Sequence, residues 1–391
     1  VLFSRELDAI EPLIHRVADA GVDAVLVQDF GLARMIAAVR PDLPMHASTQ
    51  MTMTSAECIE VAVELGIERV VLARELSIAE IRASADKTTM ALAVFVHGAL
   101  CVAYSGQCLT SESLGGRSAN RGQCAQACRM PYELICDGED VDLGDVKYLL
   151  SPQDLAAYQL LPELIEAGVC SLKIEGRLKT PEYVANITSH YRDVIDRSYA
   201  GEPVGMSAAE VEEMEMSFSR GFSPGWLEGC DHKQLVPGLS SAKRGVLLGE
   251  VVRVKNNRVA VELRTSIAPG DGVVFQGNRA EGNEQGGRIY QVFADGRKQS
   301  QVIDRGEVEL AFAHGSIDFS LLTPSVQVWK TDDPRRNARW RKTFTSPDPL
   351  RRVPLDLTID VAAGKLLTVS AVAESGASCQ VQSSQAAEPA G

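Results

Sequence analysis

Val22–Ser48 reads VDAVLVQDFGLARMIAAVRPDLPMHAS. Val22 to Val27 is a short apolar run of the kind that makes a strand, Gly31 to Val39 has helical spacing that Pro41 ends, and Met45 to Ser48 is a second short strand. The same cycle continues outward along the chain. A helix is expected over Thr54 to Leu65, stopped at Gly66, then a strand over Arg69 to Ala73 and a helix near Ser77 to Ser84. Next come a strand over Ala91 to Val96, a helix from Pro152 to Ala167 with Ser151 as its N-cap, a strand over Ser171 to Ile174, and a helix from about Pro181 to Tyr199 with proline at its first position. Apolar strands separated by single helices describe a parallel sheet covered on both faces. Both a (β/α)8 barrel and a doubly wound sheet satisfy that pattern.

In either architecture ligands gather at the carboxyl ends of the strands, so the residues after each apolar run are the ones to inspect. They are polar: Gln28 and Asp29, then His46, Ser48, Thr49 and Gln50, then Arg74 and Glu75, then His97, then Lys173, Glu175 and Arg177. His46 and His97 each have an ordinary reading as hydrogen-bonded core histidines, and Lys173, Glu175 and Arg177 one as an ion-pair set. Their convergence is the argument for a site. His97 and Glu175 are the candidates for moving a proton, and His46, Gln50, Arg74, Lys173 and Arg177 for binding substrate; Arg74, Lys173 and Arg177 suit a dicarboxylate.

The fourth strand end opens into HGALCVAYSGQCLTSESLGGRSANRGQCAQACR, residues 97–129, where Cys101, Cys108, Cys124 and Cys128 are spaced C-x6-C-x15-C-x3-C. Gly98, Gly106, Gly115, Gly116 and Gly122 let this loop fold back so that distant sulfurs meet. With nine cysteines in all and the look of an intracellular enzyme, metal ligation outranks disulfides. Structural zinc usually draws on two tight C-x2-4-C knuckles, and only one pair here is tight. Four unevenly spaced thiolates without histidine fit a [4Fe–4S] cluster. Cys136 and Cys170 are near enough in sequence to stand in for one ligand.

The chain has 391 residues, 45% of them hydrophobic, enough for two or three domains. Its net charge of −13 argues against a bulk electrostatic grip on nucleic acid. Locally, Arg335, Arg336, Arg339, Arg341 and Lys342 surround Trp340, with Arg351 and Arg352 behind. Basic residues interleaved with an aromatic hold phosphates and stack bases when they are not simply a solvated linker. No run of 18 apolar residues and no secretory leader is visible, so a cytoplasmic protein without a membrane span is expected. Residues 244 to about 330 alternate with period two and turn at Asn256-Asn257 and Pro269-Gly270-Asp271-Gly272, which predicts a small antiparallel barrel. The expected domains are thus 1–200, 201–243 as a connector, 244–330, 331–352 as a basic linker, and 353–391 as a partial β-rich domain fading into SSQAAEPAG.

Five blocks together carry a family resemblance. The cysteine loop, HASTQM at 46–51, VVLARELS at 70–77, SLKIEGRLK at 171–179 and FSRGFSPGWLEG at 218–229 closely resemble the U32 family, long labelled collagenase-like peptidases. The resemblance is nearest to its members with a β-rich C-terminal extension, of the type that makes 5-hydroxycytidine in 23S ribosomal RNA. It implies a TIM-like (β/α) barrel that this chain enters after the third strand, a [4Fe–4S] cluster on the four cysteines, and an RNA hydroxylase that forms a 5-hydroxypyrimidine in ribosomal or transfer RNA. It also implies prephenate as co-substrate, and inserting a hydroxyl at C5 of a pyrimidine calls for an oxygen source and an electron donor that the sequence does not name. Two other classes compete: a peptidase, for which neither H-E-x-x-H nor G-x-S-x-G is present though Cys101 and His97 imitate a Cys–His pair, and a non-catalytic scaffold that uses its cluster only to fold.

Overall fold

A computed structural model describes residues 1–255, 257–277, 283–348 and 352–388. It divides into two compact units, 1–337 and 338–391.

The first unit opens with helix α1 (Leu7–Asp19), which the periodicity did not announce, and then runs through β1 (Val25–Val27), α2 (Phe30–Val39), β2 (Met45–Ala47), α3 (Ala56–Glu64), β3 (Ile67–Val71), α4 (Ile78–Ala85) and β4 (Ala91–Ala99). Asp29, Ser55 and Ser77 cap α2, α3 and α4, each accepting a backbone N–H of the first turn. Beyond the cysteine loop, with α5 (Thr110–Gly115) inside it, come the hairpin β5 (Leu134–Cys136) and β6 (Glu139–Val141), then β7 (Asp154–Ala156), α6 (Leu161–Glu166), β8 (Val169–Ile174) and α7 (Pro181–Ala200), which Thr180 caps. Strands β1, β2, β3, β4 and β8 pair side by side and all parallel. All five expected strands exist in the expected order.

The expected helix from Pro152 does not begin there. Residues 154–156 form β7, antiparallel to the end of β4, and the helix is only α6. The reason is tertiary: Asp154 is buried against Arg220, 2.7 Å away, Leu155 enters the core, and Ser151 accepts a hydrogen bond from Arg129 instead of capping. Residues 201–243 are more than a connector. They carry α8 (Ala208–Ser217), β9 (Phe222–Ser223), which pairs parallel to β7, and α9 (His232–Leu235), and they place Trp226 and Leu227 in the same core.

Register shows that the sheet has two unlike faces. Val27, Met45, Ala47, Val70, Leu92 and Val94 are buried, in one core with Ile36, Ile59, Ile81 and Ile187 from the helices. The opposite face carries Leu26 beside His46, His46 beside Arg69, and further along Phe95 beside Lys173. Leu26 is 55% exposed, and the other four are half-buried. One face is therefore wholly apolar, while the other mixes the buried Val71 and Ala93 with the half-buried His46, Arg69, Phe95 and Lys173.

Next comes a closed barrel. β10 (Val246–Lys255), β11 (Arg258–Leu263), β12 (Gly272–Phe275), β13 (Gln285–Ala294), β15 (Gly306–Phe312) and β16 (Gln327–Asp332) pair antiparallel in the order β12-β16-β10-β11-β15-β13, and β13 closes onto β12; β14 (Arg297–Gln299) extends β13. Closure leaves no open edge, and Leu248, Val261, Phe275, Val292, Leu310 and Val328 fill the interior. Of the two expected turns, Asn256 lies outside the described residues, while Asp271 shapes the other by accepting the Ala268 N–H at 3.0 Å. The stretch expected as a basic linker is helical, α10 (Pro334–Thr345). The second unit also carries an exposed antiparallel meander, β17 (Leu355–Asp360), β18 (Leu366–Ala373) and β19 (Ser378–Ala386), so the tail from Ser383 starts inside a strand.

Candidate functional site

The cysteine loop leaves β4 at a tight place. A Cβ on Gly98, whose φ is +104°, would lie 2.5 Å from the Glu175 carbonyl oxygen, and one on Gly106 (φ +73°) only 2.2 Å from that of Gln50. Only glycine lets the loop pass this close to the neighbouring strand ends.

Those strand ends clamp the loop. The Gln28 amide donates to the Asn120 carbonyl. Gln50 donates to that of Ala119 at 3.3 Å, Thr52 to that of Ser105 at 2.7 Å, and Arg177 to that of Gly122 at 3.2 Å. Glu75 accepts the Ser105 hydroxyl at 2.8 Å, and Arg129 reaches the carbonyls of Leu100 and Pro152 and the Ser151 hydroxyl. Gln50 and Arg177, expected to bind substrate, here hold the loop.

All nine cysteines are free thiols. Burial raises the Cys128 thiol above its usual value; Arg129 opposes this, and the charges of Cys101, Cys124 and Cys108 add to it, so the four thiols lie within electrostatic reach of one another. The Gln126 N–H donates to the Cys124 sulfur at 3.3 Å. Among the described residues no group of three or more His, Cys, Asp or Glu is set to hold a metal ion, so the four are neighbours without forming a ready-made mononuclear site. Cys170 donates to the Leu92 carbonyl at the opposite end of the sheet, and Cys136 is exposed on the β5–β6 hairpin. Neither is among the groups that act on Cys128.

On the polar face, Phe95 is the meeting point of two cations. The Arg74 guanidinium and the Lys173 ammonium each lie 4.9 Å from its ring centroid. Neither makes an ion pair among the described residues, and the Arg74 Nε is buried without a partner. Burial lowers Lys173 below the usual lysine value; Glu175 opposes the shift and Arg74 adds to it. Glu175 accepts the Arg177 N–H at 2.8 Å, shaping its own turn. His46 is lowered by burial and by Arg69 beside it. Arg69, also with a buried and unpartnered Nε, escaped the sequence reading because it sits within a strand; an arginine directly before the apolar run Val70–Ala73 was the available signal.

His97 is placed differently. It is 1% exposed and ringed by Tyr183, Tyr191 and Phe222 at centroid distances of 5.3–6.1 Å. The Tyr191 hydroxyl spends its proton on the Val96 carbonyl, so the His97 Nδ1–H donates to the Tyr191 hydroxyl oxygen at 3.2 Å and Nε2 keeps its lone pair. Burial, with His190, takes its pKa down to about 3. It belongs to the core and not to the pocket. The candidate residues therefore do not gather at one opening, and Arg177 sits on the loop at the Gly122 carbonyl. Gln50 lines a cleft of about 800 Å³ with Gln28, Ser48 and the loop residues Arg121 and Gly122; Arg74 and Lys173 meet at Phe95, His46 lies by Arg69, and His97 is enclosed.

A site built on a cysteine loop clamped over parallel strand ends can be compared with known proteins. The family model for peptidase family U32 matches residues 1–237. The chain belongs to that family. U32 relatives include the 23S rRNA 5-hydroxycytidine C2501 synthase of Escherichia coli, 39% identical over 281 residues, which cover 70% of this chain and 42% of that protein. The tRNA hydroxylation protein P1 of Bacillus subtilis is 36% identical over 233 residues, 58% of this chain and 55% of that one. An uncharacterized protease of Methanocaldococcus jannaschii is 32% identical over 322 residues, 78% and 77%. This U32 chain thus spans about half the length of the first two. No helix among the described residues is long and apolar enough to cross a membrane.

Proposed function

We propose that this U32 protein hydroxylates C5 of a pyrimidine in ribosomal or transfer RNA, with the five parallel strands as an arc of a (β/α) barrel and prephenate as co-substrate. The observation that carries the reading is the four-cysteine loop lying over strand ends where Arg74 and Lys173 meet at Phe95 with no ion pair among the described residues, in a chain with relatives named for RNA hydroxylation.

Cys101, Cys108, Cys124 and Cys128 would hold a [4Fe–4S] cluster. The donor set fits: four free thiols, no histidine, and a backbone N–H already on the Cys124 sulfur. When bound, such a cluster supplies a path for single electrons. Arg74 and Lys173 bind the carboxylates of the co-substrate, with Phe95 as an apolar floor. Glu175 is the proton carrier of this reading, because His97 at about 3 stays neutral and faces aromatic rings. The target base must be unpaired or flipped out, since a helix hides its bases.

The peptidase reading needs a nucleophile with a base. Here the imidazole of His97 bonds Tyr191 rather than Cys101, and no hydrolytic motif supplies a replacement. Deleting the gene should remove the mass of one oxygen from one pyrimidine, and the Cys124→Ala protein should fail to restore it. Unchanged RNA masses together with metal-dependent gelatin cleavage by the purified protein would overturn the assignment.

A further inference from the structure

In the loop that leaves β4, Leu100 directly precedes Cys101 and Arg129 directly follows Cys128. The Arg129 guanidinium joins these two ends. It donates to the Leu100 carbonyl at 3.1 Å, to the Ser151 hydroxyl at 2.9 Å, and to the Pro152 carbonyl. Leu100 and Ser151 are buried, so these partners are fixed by the core rather than by the loop. The other clamps reach elsewhere. Thr52 and Glu75 hold Ser105, between Cys101 and Cys108, while Gln28, Gln50 and Arg177 hold Asn120, Ala119 and Gly122, between Cys108 and Cys124. Among the described residues, Arg129 alone makes a side-chain hydrogen bond between the start of the loop and its end.

All three acceptors are neutral oxygens, so the bonds orient the guanidinium without cancelling its charge. Arg129 makes no ion pair among the described residues. Asp154 and Arg220 act on it in opposite senses, and those two already lie 2.7 Å from one another. Cys101 and Cys128 are half-buried, where thiolates are costly unless a cation stands beside them. The turn that carries Cys128 has a second, uncharged restraint: the Tyr132 hydroxyl donates to the Ala127 carbonyl at 2.8 Å. Holding and charge can therefore be separated by mutation.

We propose that Arg129 is a positioning residue of the four-thiol site: its guanidinium ties the backbone before Cys101 to that after Cys128, and its charge stands beside the cluster those thiols would hold. The role of the charge rests on the cluster reading above; the tie is a property of the chain itself. Lysine is no full substitute, since an ammonium on a flexible stem lacks the planar fork that reaches two segments at once.

Two measurements on the purified chain test the proposal. In the first, without added iron, dibromobimane bridges neighbouring thiols in a Cys108→Ser/Cys124→Ser background, and peptide mapping reads the Cys101–Cys128 link. Arg129→Gln should reduce that link about tenfold, the worth of one charge-assisted hydrogen bond, with Arg129→Lys in between. Undiminished linking in a folded Arg129→Gln overturns the tie; if that variant does not fold, undiminished linking in Arg129→Lys overturns it instead. In the second, iron and sulfide are supplied without oxygen to the chain with all four cysteines, and the visible spectrum and reduction potential are recorded. Removing a positive charge near a cluster lowers its potential, so Arg129→Gln should give a more negative potential than the wild type, whereas Arg129→Lys and Tyr132→Phe should not. An equal shift in Tyr132→Phe, or none in Arg129→Gln, overturns the role of the charge. Should Arg129→Gln take up no cluster, retention by Arg129→Lys and Tyr132→Phe supports that role and loss in all three overturns it. A wild type that takes up no cluster while linking Cys101 to Cys128 overturns the cluster reading, and the role of the charge with it, and leaves the tie supported.

Discussion

At the rim of the barrel Lys330 is wholly buried, yet it lies 2.8 Å from Asp271 and 2.7 Å from Asp333, and Arg335 reaches both carboxylates. At the rim of the parallel sheet Arg74 and Lys173 share one aromatic ring, and neither makes an ion pair among the described residues, though the charge of Glu175 acts on Lys173. Burial pushes up both carboxyls of the barrel cluster. At Asp271 burial prevails, whereas at Asp333 the hydrogen bond and charge of Lys330 overcome it and bring the group down to about 2. Matched buried charge fixes a fold; unmatched half-buried charge beside a cavity leaves room for an anion to complete it. Part of the basic segment noticed in the sequence falls in the first class, because Arg335 joins this cluster and Arg336 pairs with Glu212 of α8 at 2.6 Å. Arg339 lies 5.3 Å from the Trp340 ring, and Arg351 falls outside the described residues.

Three experiments would break or sharpen the contrast. The largest effect belongs to the barrel: Lys330→Ala leaves two buried carboxylates facing each other and should cost about 3–5 kcal/mol in chemical denaturation. A loss below about 1 kcal/mol would mean that the cluster is not what holds the rim.

His97 gives an intermediate case, a buried group that avoids charge altogether. Its folded pKa of about 3 lies below the ordinary 6.5, so between those values the unfolded chain takes up a proton that the folded one refuses. Stability from this group is complete above pH 6.5 and falls as the pH drops, by about 2–3 kcal/mol at pH 4.5. His97→Gln should flatten that part of the profile in urea titrations at pH 7 and 4.5; a variant as acid-sensitive as the wild type would put the proton elsewhere.

The smallest effect on stability is expected at the sheet. Arg74→Ala and Lys173→Ala should each change unfolding by less than about 1 kcal/mol, since no paired charge is orphaned. Each should nevertheless weaken dicarboxylate binding by about 10–100-fold in calorimetry, the worth of a charge-assisted hydrogen bond. Large destabilisation with unaltered binding would make these cations structural and remove the contrast.

Strand order, the cysteine loop and the polar strand ends were legible because each is written in short, local patterns: period, spacing and the residue after an apolar run. Other features were not. Leu155 and Asp154 leave a helical-looking segment to become β7 because Arg220, 66 residues away, completes them. Gln50 and Arg177 read as free polar groups, but their donors meet carbonyls of a loop that only folding brings overhead. Lys179 stands inside the quoted SLKIEGRLK block with nothing nearby in the chain to say that its ammonium would lie over the ring of Phe218.

By itself the sequence determined the five parallel strands, most of the helices between them, the antiparallel alternation of the barrel segment and the four thiols in one loop, since backbone period and ligand spacing are properties of neighbours along the chain. Tertiary structure alone decided which face of the sheet stays polar, that His97 is a neutral core group, that β13 closes onto β12, and which cations find partners. Those outcomes depend on burial and on distances between residues far apart in sequence, and a charge is matched or left open only when the fold has set its neighbours.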